Sequence, residues 1–239
     1  MPKHKNNHGR GITKATLKRR RVERKPNKRV LIVCEGSKTE KLYFTALASS
    51  LRLSSVEVEV CENCGSAPIS VVNFAEDKAT DAGAPEAGGY DCVFCVFDRD
   101  EHESFDRAKN KIKQLKRKGK FPAGDIVGIT SEPCVEYWFL LHAKYTRAPY
   151  TKAGGKTAAE QLISHLKKVP AFKDYRKSLS DQHKSFLLDK TSAAVNHARR
   201  AWSDAERTNV ENPSTLVHKI VEFLETLQQQ AQTEARKSI

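Results

Sequence analysis

The chain has no apolar run long enough to cross a bilayer and no hydrophobic segment of the secretory-leader kind. A soluble, cytoplasmic protein without membrane partners is therefore expected. There is no internal repeat, which sets aside solenoids and propellers. Acidic residues are almost missing from Met1–Arg29, where Glu23 stands alone against twelve Lys and Arg. Eleven of the thirteen net positive charges thus lie in a basic tail over residues 1–29, and the remainder is nearly neutral. Such a tail is expected to be disordered when free and to attract polyanions, nucleic acid first; Arg19, Arg20 and Arg21 are its densest cluster. A purely solubilising tail is the plainer alternative.

The six cysteines invite a metal or disulfide reading, but nothing in their placement calls for an oxidising compartment. Cys61-x-x-Cys64 and Cys92-x-x-Cys95 have the spacing of half zinc sites. The second pair falls in a strand-like run, however, and strand residues three apart point to opposite faces. Buried thiols acting as small apolar residues are the default reading, with a zinc-stabilised scaffold as the alternative. Cys34 and Cys134 have no local partner.

What the sequence does contain is an alternation of strands and helices. Val30–Cys34 is a continuous apolar run, as in a strand buried on both faces, and it breaks at Glu35-Gly36. Ser37-x-x-Glu40 has capping-box spacing and opens a helix to about Ser50. Val56–Val60 alternates strictly, as a strand near a sheet edge does. Ser66 caps a helix with Pro68 in its first turn, and Asp81–Gly89 is a loop. Asp91–Phe97 is a second buried strand, ending in Asp98-Arg99-Asp100. A basic helix with Phe105, Ala108, Ile112 and Leu115 inward follows, closed by Gly119 and Pro122. Ile126–Thr130 is a further strand, and Ser131-Glu132-Pro133 opens a helix through Val135, Trp138, Phe139 and His142. The order predicts an α/β fold, a parallel sheet flanked by helices, as the core over residues 30–147. A Gly-bearing linker over Ala148–Thr157 leads into a helical subdomain over residues 148–228. That subdomain holds a stripe of Ala159, Leu162, Ile163 and Leu166, one helix over about Lys184–Arg207, and a last helix capped by Asn212-Pro213-Ser214. Residues 229–239 read as a polar tail that frays.

Chemistry concentrates at strand ends. Glu35 stands at the carboxyl end of the first strand, where open parallel sheets place their sites, and Gly36 permits close approach of a ligand. Asp98 and Asp100, two residues apart, face the same side in extended chain. If the two strands are neighbours, three carboxylates converge. Hard oxygen donors of this kind suit Mg²⁺ or Mn²⁺, and without a cation they raise one another's pKa.

These residues resemble a known family. The Glu35-Gly36 corner with Asp98-x-Asp100 is similar to the Toprim fold of topoisomerases, primases and several nucleases. More closely, I-V-C-E-G-S-K-T-E-K-L-Y-F, V-F-D-R-D-E, S-E-P-C-V-E-Y-W-F-L-L-H and N-P-S-T resemble the RloB family over most of Val30–Leu227. The resemblance implies a Toprim-like, Mg²⁺-dependent nuclease of restriction loci and phage defence, often beside an ABC-type ATPase; a homo-oligomer stays open. It implies that Glu35 is a metal ligand or the base for the attacking water, and that Asp98 and Asp100 hold the metal. Two departures stand out. Glu132 occupies a position where the family usually has Asn, and cysteines replace ordinary residues in the strand before Asp98.

Further candidates are Glu136, catalytic if it overhangs the same edge, and His142, catalytic or simply packed. Lys38 at the first helix start is a candidate phosphate contact, as are Lys152 and Lys156 in the linker, where a solvated loop is the equal alternative. The rival reading of the whole chain is a non-catalytic sensor or adaptor that binds nucleic acid or an ATPase.

Overall fold

The computed structural model describes residues 28–36, 38–61, 67–99, 102–118, 121 and 123–237. The basic tail with Arg19, Arg20 and Arg21 lies outside them, as do Ser37, Cys64, Ser66, Asp100, Gly119 and Pro122.

Four strands are parallel: β1 (Val30–Cys34), β2 (Val56–Val60), β3 (Cys92–Asp98) and β4 (Asp125–Glu132). A two-residue β5 (Ser214–Thr215) adds antiparallel to β4, giving the order β2-β1-β3-β4-β5. The protein is therefore α/β. The chain moves from β1 to β2 in one direction and from β2 to β3 and β4 in the other. Right-handed crossovers then require helices on opposite faces. Helix α1 (Thr39–Ser50) covers one face through Tyr43, Phe44 and Leu47, against Ile32, Phe94 and Val96. Helices α2 (Pro68–Ala82) and α3 (Phe105–Lys118) cover the other, against Leu31, Val33 and Val93.

Strand β2 is an edge, as its alternation foretold, and its glutamates are tied by Arg29 and Lys78. Cys92 and Cys95 are free, buried and on opposite faces, so together they supply no ligand pair. Cys61 departs from the reading of reduced filler, because it is disulfide-bonded.

Helix α4 (Glu136–Ala143) is the hub of the α1 face. Every residue from Glu136 to His142 is buried, so the helix is apolar all round and fully enclosed. Its ring of neighbours includes Tyr43 at 5.7 Å and Phe172 at 6.3 Å from Phe139. The helical segment shares this core. Leu162 on α5 (Ala158–Leu166), Leu187 on α6 (Asp181–Asp189), Ala198 on α7 (Thr191–Thr208) and Leu224 on α8 (Val217–Lys237) belong to the same apolar cluster as Ile32. Residues 148–228 are thus welded to the sheet, and they even contribute its fifth strand.

Several boundaries differ from the sequence expectation. The single helix expected over Lys184–Arg207 is two, broken at Lys190, whose φ of −101° and ψ of 10° leave the helical region. Strand β4 continues through Ser131 and Glu132, so α4 starts only at Glu136. Asn212-Pro213 forms a cis bend before β5, and Thr215 Oγ1 takes the capping place by accepting from Val217 N–H at 3.3 Å. Helix α2 has Ala67 as its N-cap, without a side-chain bond. Helix α8 runs to Lys237 instead of fraying at Gln228, because its last turns are built of good helix formers. The 148–157 linker is pinned at Tyr150, whose N–H and C=O both bond the Asn212 amide.

Because sheet and helical segment share one core, Phe172→Ala is expected to destabilise both together. The expected loss is about 3–5 kcal/mol, read as one cooperative transition in chemical denaturation; two separated transitions would contradict the shared core.

Candidate active site

The strand order reverses between β1 and β3, and the crevice above that point is where open parallel sheets receive ligands. A cleft of about 400 Å³ opens there. Four carboxylates line it: Glu35, Glu40, Asp98 and Glu136. Each is delivered by a different local device.

Glu35 follows β1 directly. Its N–H donates to Val96 O at 3.2 Å, prolonging the β1–β3 ladder by one residue. Its Oε2 accepts from Asp98 N–H at 3.3 Å, so the two strand ends are stitched by the side chain itself. Asp98 ends β3. Alternation puts it on the side of Phe94 and Val96, the face covered by α1 and α4. Its carboxylate accepts from Val135 N–H, just before α4. Burial pushes the Asp98 carboxyl well up, and repulsion from Glu40, Glu136 and Glu35 adds to the shift.

Glu40 corrects a sequence reading. The N-cap is Lys38, with no side-chain cap bond, and Ser37 of the expected capping box lies outside the described residues. Glu40 instead folds back onto the strand-end turn, accepting from its own N–H and from Gly36 N–H. A Cβ built on Gly36 would fall 2.2 Å from Glu40 Oε2. A side chain at position 36 would therefore displace the Glu40 carboxylate from this seat. Glu40 is 6% exposed. Burial, then the charge of Glu136, raises it to about 7, against pulls downward from the two backbone N–H groups and from Lys177.

Glu136 opens α4 and is buried over the same edge. Tyr175 Oη donates to its Oε1 at 2.9 Å and lies 3.4 Å from Thr39 Oγ1. Burial and the Glu136 charge push the Tyr175 phenol strongly up, so it stays a donor. Tyr175 and Lys177 come from the short connection between Phe172 and α6, which brings the helical segment across the cleft. Lys177 lines the cleft with φ at +54°, a left-handed conformation unusual for a residue with a Cβ. Sequence reasoning missed Glu40, Tyr175 and Lys177. Glu40 hid behind a capping pattern, while the other two sit in a stretch with no periodicity.

The remaining candidates separate cleanly. Lys38 lines the cleft and is exposed. Asp100 lies outside the described residues. His142 does not reach the cleft. It is buried one turn below Trp138, its Nδ1 2.9 Å from Trp138 O and its ring 4.7 Å from the indole, and burial lowers its pKa to about 3. A catalytic role for His142 is thereby corrected to a packing role: an α-helix puts residues 138 and 142 on one face, and that face is core. Lys152 and Lys156 are exposed away from the cleft lining, with Lys156 Nζ on Ser164 Oγ at 3.2 Å. Glu132 points out of the cleft, 3.4 Å from Arg99, which also reaches Glu211 at 3.5 Å. Its replacement of the family's Asn therefore adds no fifth carboxylate.

The donor set is all oxygen, which fits Mg²⁺ or Mn²⁺ and not zinc. Among the described residues no three His, Cys, Asp or Glu side chains close around one point as a ready metal cage. Mg²⁺ asks for less, being held by one or two carboxylates together with waters and substrate phosphates. Glu35 and Asp98 meet that requirement, and the raised pKa values of Asp98 and Glu40 mark the negative charge a cation would neutralise.

A pH effect follows with a definite sign. Glu40 binds its proton more tightly folded, at about 7, than at the ordinary 4.5. The folded state therefore holds the extra proton, and stability falls as pH rises from about 4.5 through 7. Metal-free protein should melt at lower temperature at pH 8 than at pH 5, with Mg²⁺ restoring part of the difference and Glu40→Gln flattening the profile. A profile that rises over this interval, or is untouched in Glu40→Gln, would refute the assignment.

The comparisons with known proteins fit this geometry without extending it. No curated protein and no solved structure matches the chain. The RloB-like protein family model matches residues 30–224, which spans β1 to α8 and every cleft residue named above. The chain belongs to the RloB-like protein family.

Proposed function

We propose that this chain is a Toprim-like, Mg²⁺- or Mn²⁺-dependent nuclease that hydrolyses phosphodiester bonds in nucleic acid, with the β1–β3 cleft as its active site. The observation that carries the reading is the pairing of Glu35 and Asp98 on adjacent strand ends at the switch point, with Glu40 and Glu136 in the same cleft. When bound, the cation supplies charge neutralisation at a scissile phosphate and lowers the pKa of a water. The chain's own residues do the rest. Asp98, with Asp100 two residues on, is the metal-holding strand end. Glu35 lies beside it and either shares the metal or takes the proton of the attacking water. Glu40, poised near neutrality, is a second acceptor for that proton. Tyr175 orients Glu136. Lys38 and Lys177 are the cations on the cleft wall, and with the start of α1 they suit the phosphate oxygens of a substrate strand.

A nuclease of this kind needs a cytoplasmic nucleic-acid substrate, and anti-phage defence beside an ABC-type ATPase belongs to the same proposal. So does any self-association that gating of the cleft would use.

Purified protein, alone and with the ATPase, should cut at least one of duplex DNA, single-stranded DNA or tRNA in Mg²⁺ or Mn²⁺ and none in EDTA. Glu35→Gln should reduce cutting by roughly 10²–10⁴-fold. Lys177→Ala should chiefly raise KM. Full cutting by Glu35→Gln would remove the assigned role, and no cutting under any of these conditions would favour the adaptor reading.

A further inference from the structure

Helix α3 is not part of the cleft, yet it holds the largest local charge imbalance in the described chain. Its fourteen residues carry seven Lys and Arg against Asp106 alone. Residues 30–239 together sum to about +2, so outside this helix they sum to about −4.

The charges are not evenly spread around the helix. Phe105, Ala108, Ile112 and Leu115 face the sheet. At 3.6 residues per turn, Asp106, Arg107, Asn110, Lys113, Gln114 and Arg117 form the opposite crest. Four of them line a shallow groove of about 370 Å³: Asn110, Lys113, Gln114 and Arg117. The lysines on the flanks are neutralised by neighbours. Lys111 meets Glu76 at 2.6 Å, Lys116 meets Asp125 at 3.2 Å and Lys109 meets Glu211 at 4.0 Å. Among the described residues Arg107, Lys113 and Arg117 have no ion-pair partner.

An ordinary solvated helix face mixes signs and gains from Glu–Lys pairs at i,i+4. This crest has none. Lys109 on the flank and Lys113 and Arg117 on the crest instead follow one another at i,i+4, an arrangement that weakens a helix. Asp106 is the one acid on the crest, and every other crest side chain carries N–H donors. A bilayer surface is a poor fit, because surface-lying helices insert an apolar face and that of α3 is already spent on the sheet.

We infer that the crest of α3 is a second polyanion-binding surface, taking the phosphate backbone of nucleic acid along Arg107, Lys113 and Arg117 with Asn110 and Gln114 between them. It leads to the cleft. His102 lines the cleft, and its carbonyl accepts from Phe105 N–H at 3.2 Å, where α3 begins. From there the crest extends about 15 Å from Arg107 to Arg117. The inference shares the class of ligand with the proposed function, but it needs no chemistry in the cleft.

The test is binding in EDTA by the full chain, using a labelled 30-base-pair DNA duplex, the matching RNA duplex and phosphatidylserine vesicles as probes. The triple R107Q/K113Q/R117Q is compared with the flank triple K109Q/K111Q/K116Q, which removes equal charge. The crest triple should flatten the slope of log affinity against log salt by about 2 to 3 on a duplex, near 0.9 per lost phosphate contact, and the flank triple by clearly less. K113E alone should weaken binding in the same direction, which keeps the test open if a triple variant fails to fold. Equal losses from crest and flank would reduce the effect to undirected charge and overturn the inference. So would unchanged binding to both duplexes, or a loss confined to the vesicles. Cutting by the wild type in Mg²⁺ is scored separately, so failure of the nuclease reading does not imitate failure of this one.

Discussion

Carboxylates taken out of water beside one another repel, and the end of the β1–β3 pair does this with four of them. The repulsion is visible in Asp98 and Glu40, whose carboxyls are both pushed up by burial first and by their acidic neighbours next. Such a cluster persists only if something offsets it. The fold supplies backbone N–H groups at Gly36 and Val135, two helix starts with their positive dipole ends, and a phenol and an ammonium from the Tyr175–Lys177 connection. These are partial measures, since Glu40 still sits near 7. Under the proposed function, a divalent cation would complete the offset.

The parts of the site set by local chain logic were legible. A β-branched run ending in Glu-Gly, and another ending in Asp, place acids at strand ends by alternation alone, and the ladder then makes them neighbours. Glu136 was legible as a helix start over that edge. Glu40 was read only as a helix-start residue, whereas its carboxylate also accepts from Gly36 N–H and lines the cleft. Tyr175 and Lys177 were beyond local reasoning, since they reach the cleft from an aperiodic connection 39 residues after Glu136 in the case of Tyr175. His142 shows the opposite error. A titratable residue near the motifs drew a functional reading, although its spacing from Trp138 already put it on the core face.

The same contrast runs through the fold. The burial of β1 and β3 follows from composition, and once the strand order is given handedness sets which face each helix covers. The union of sheet and helical segment does not follow in that way, because it depends on long-range packing. Helix α4 has no polar side, so it must be enclosed, and only elements from beyond residue 150 are available to enclose its outer surface. This is why the chain cannot be divided at the Gly-bearing linker, and why Tyr150 and Asn212 lock that linker to the return of the chain.

Enclosing α4 also has a functional consequence. The connection that carries Phe172 into the core carries Tyr175 and Lys177 to the rim three and five residues later. Packing of Phe172 on Phe139 and of Tyr175 on Glu136 is therefore one mechanical unit. Any force that loosens the helical segment, whether from a partner or from a bound polyanion, withdraws the cation and the phenol from the acidic cluster at the same time. The charge layout points the same way. The cleft concentrates acid, whereas the α3 crest and residues 1–29 concentrate base. Under the proposed function, a polyanion would be drawn to these basic segments and would enter the cleft once the local negative charge is offset. On that reading, binding and cleft access would be set by different residues, an arrangement suited to a nucleic-acid protein whose chemistry waits for a trigger.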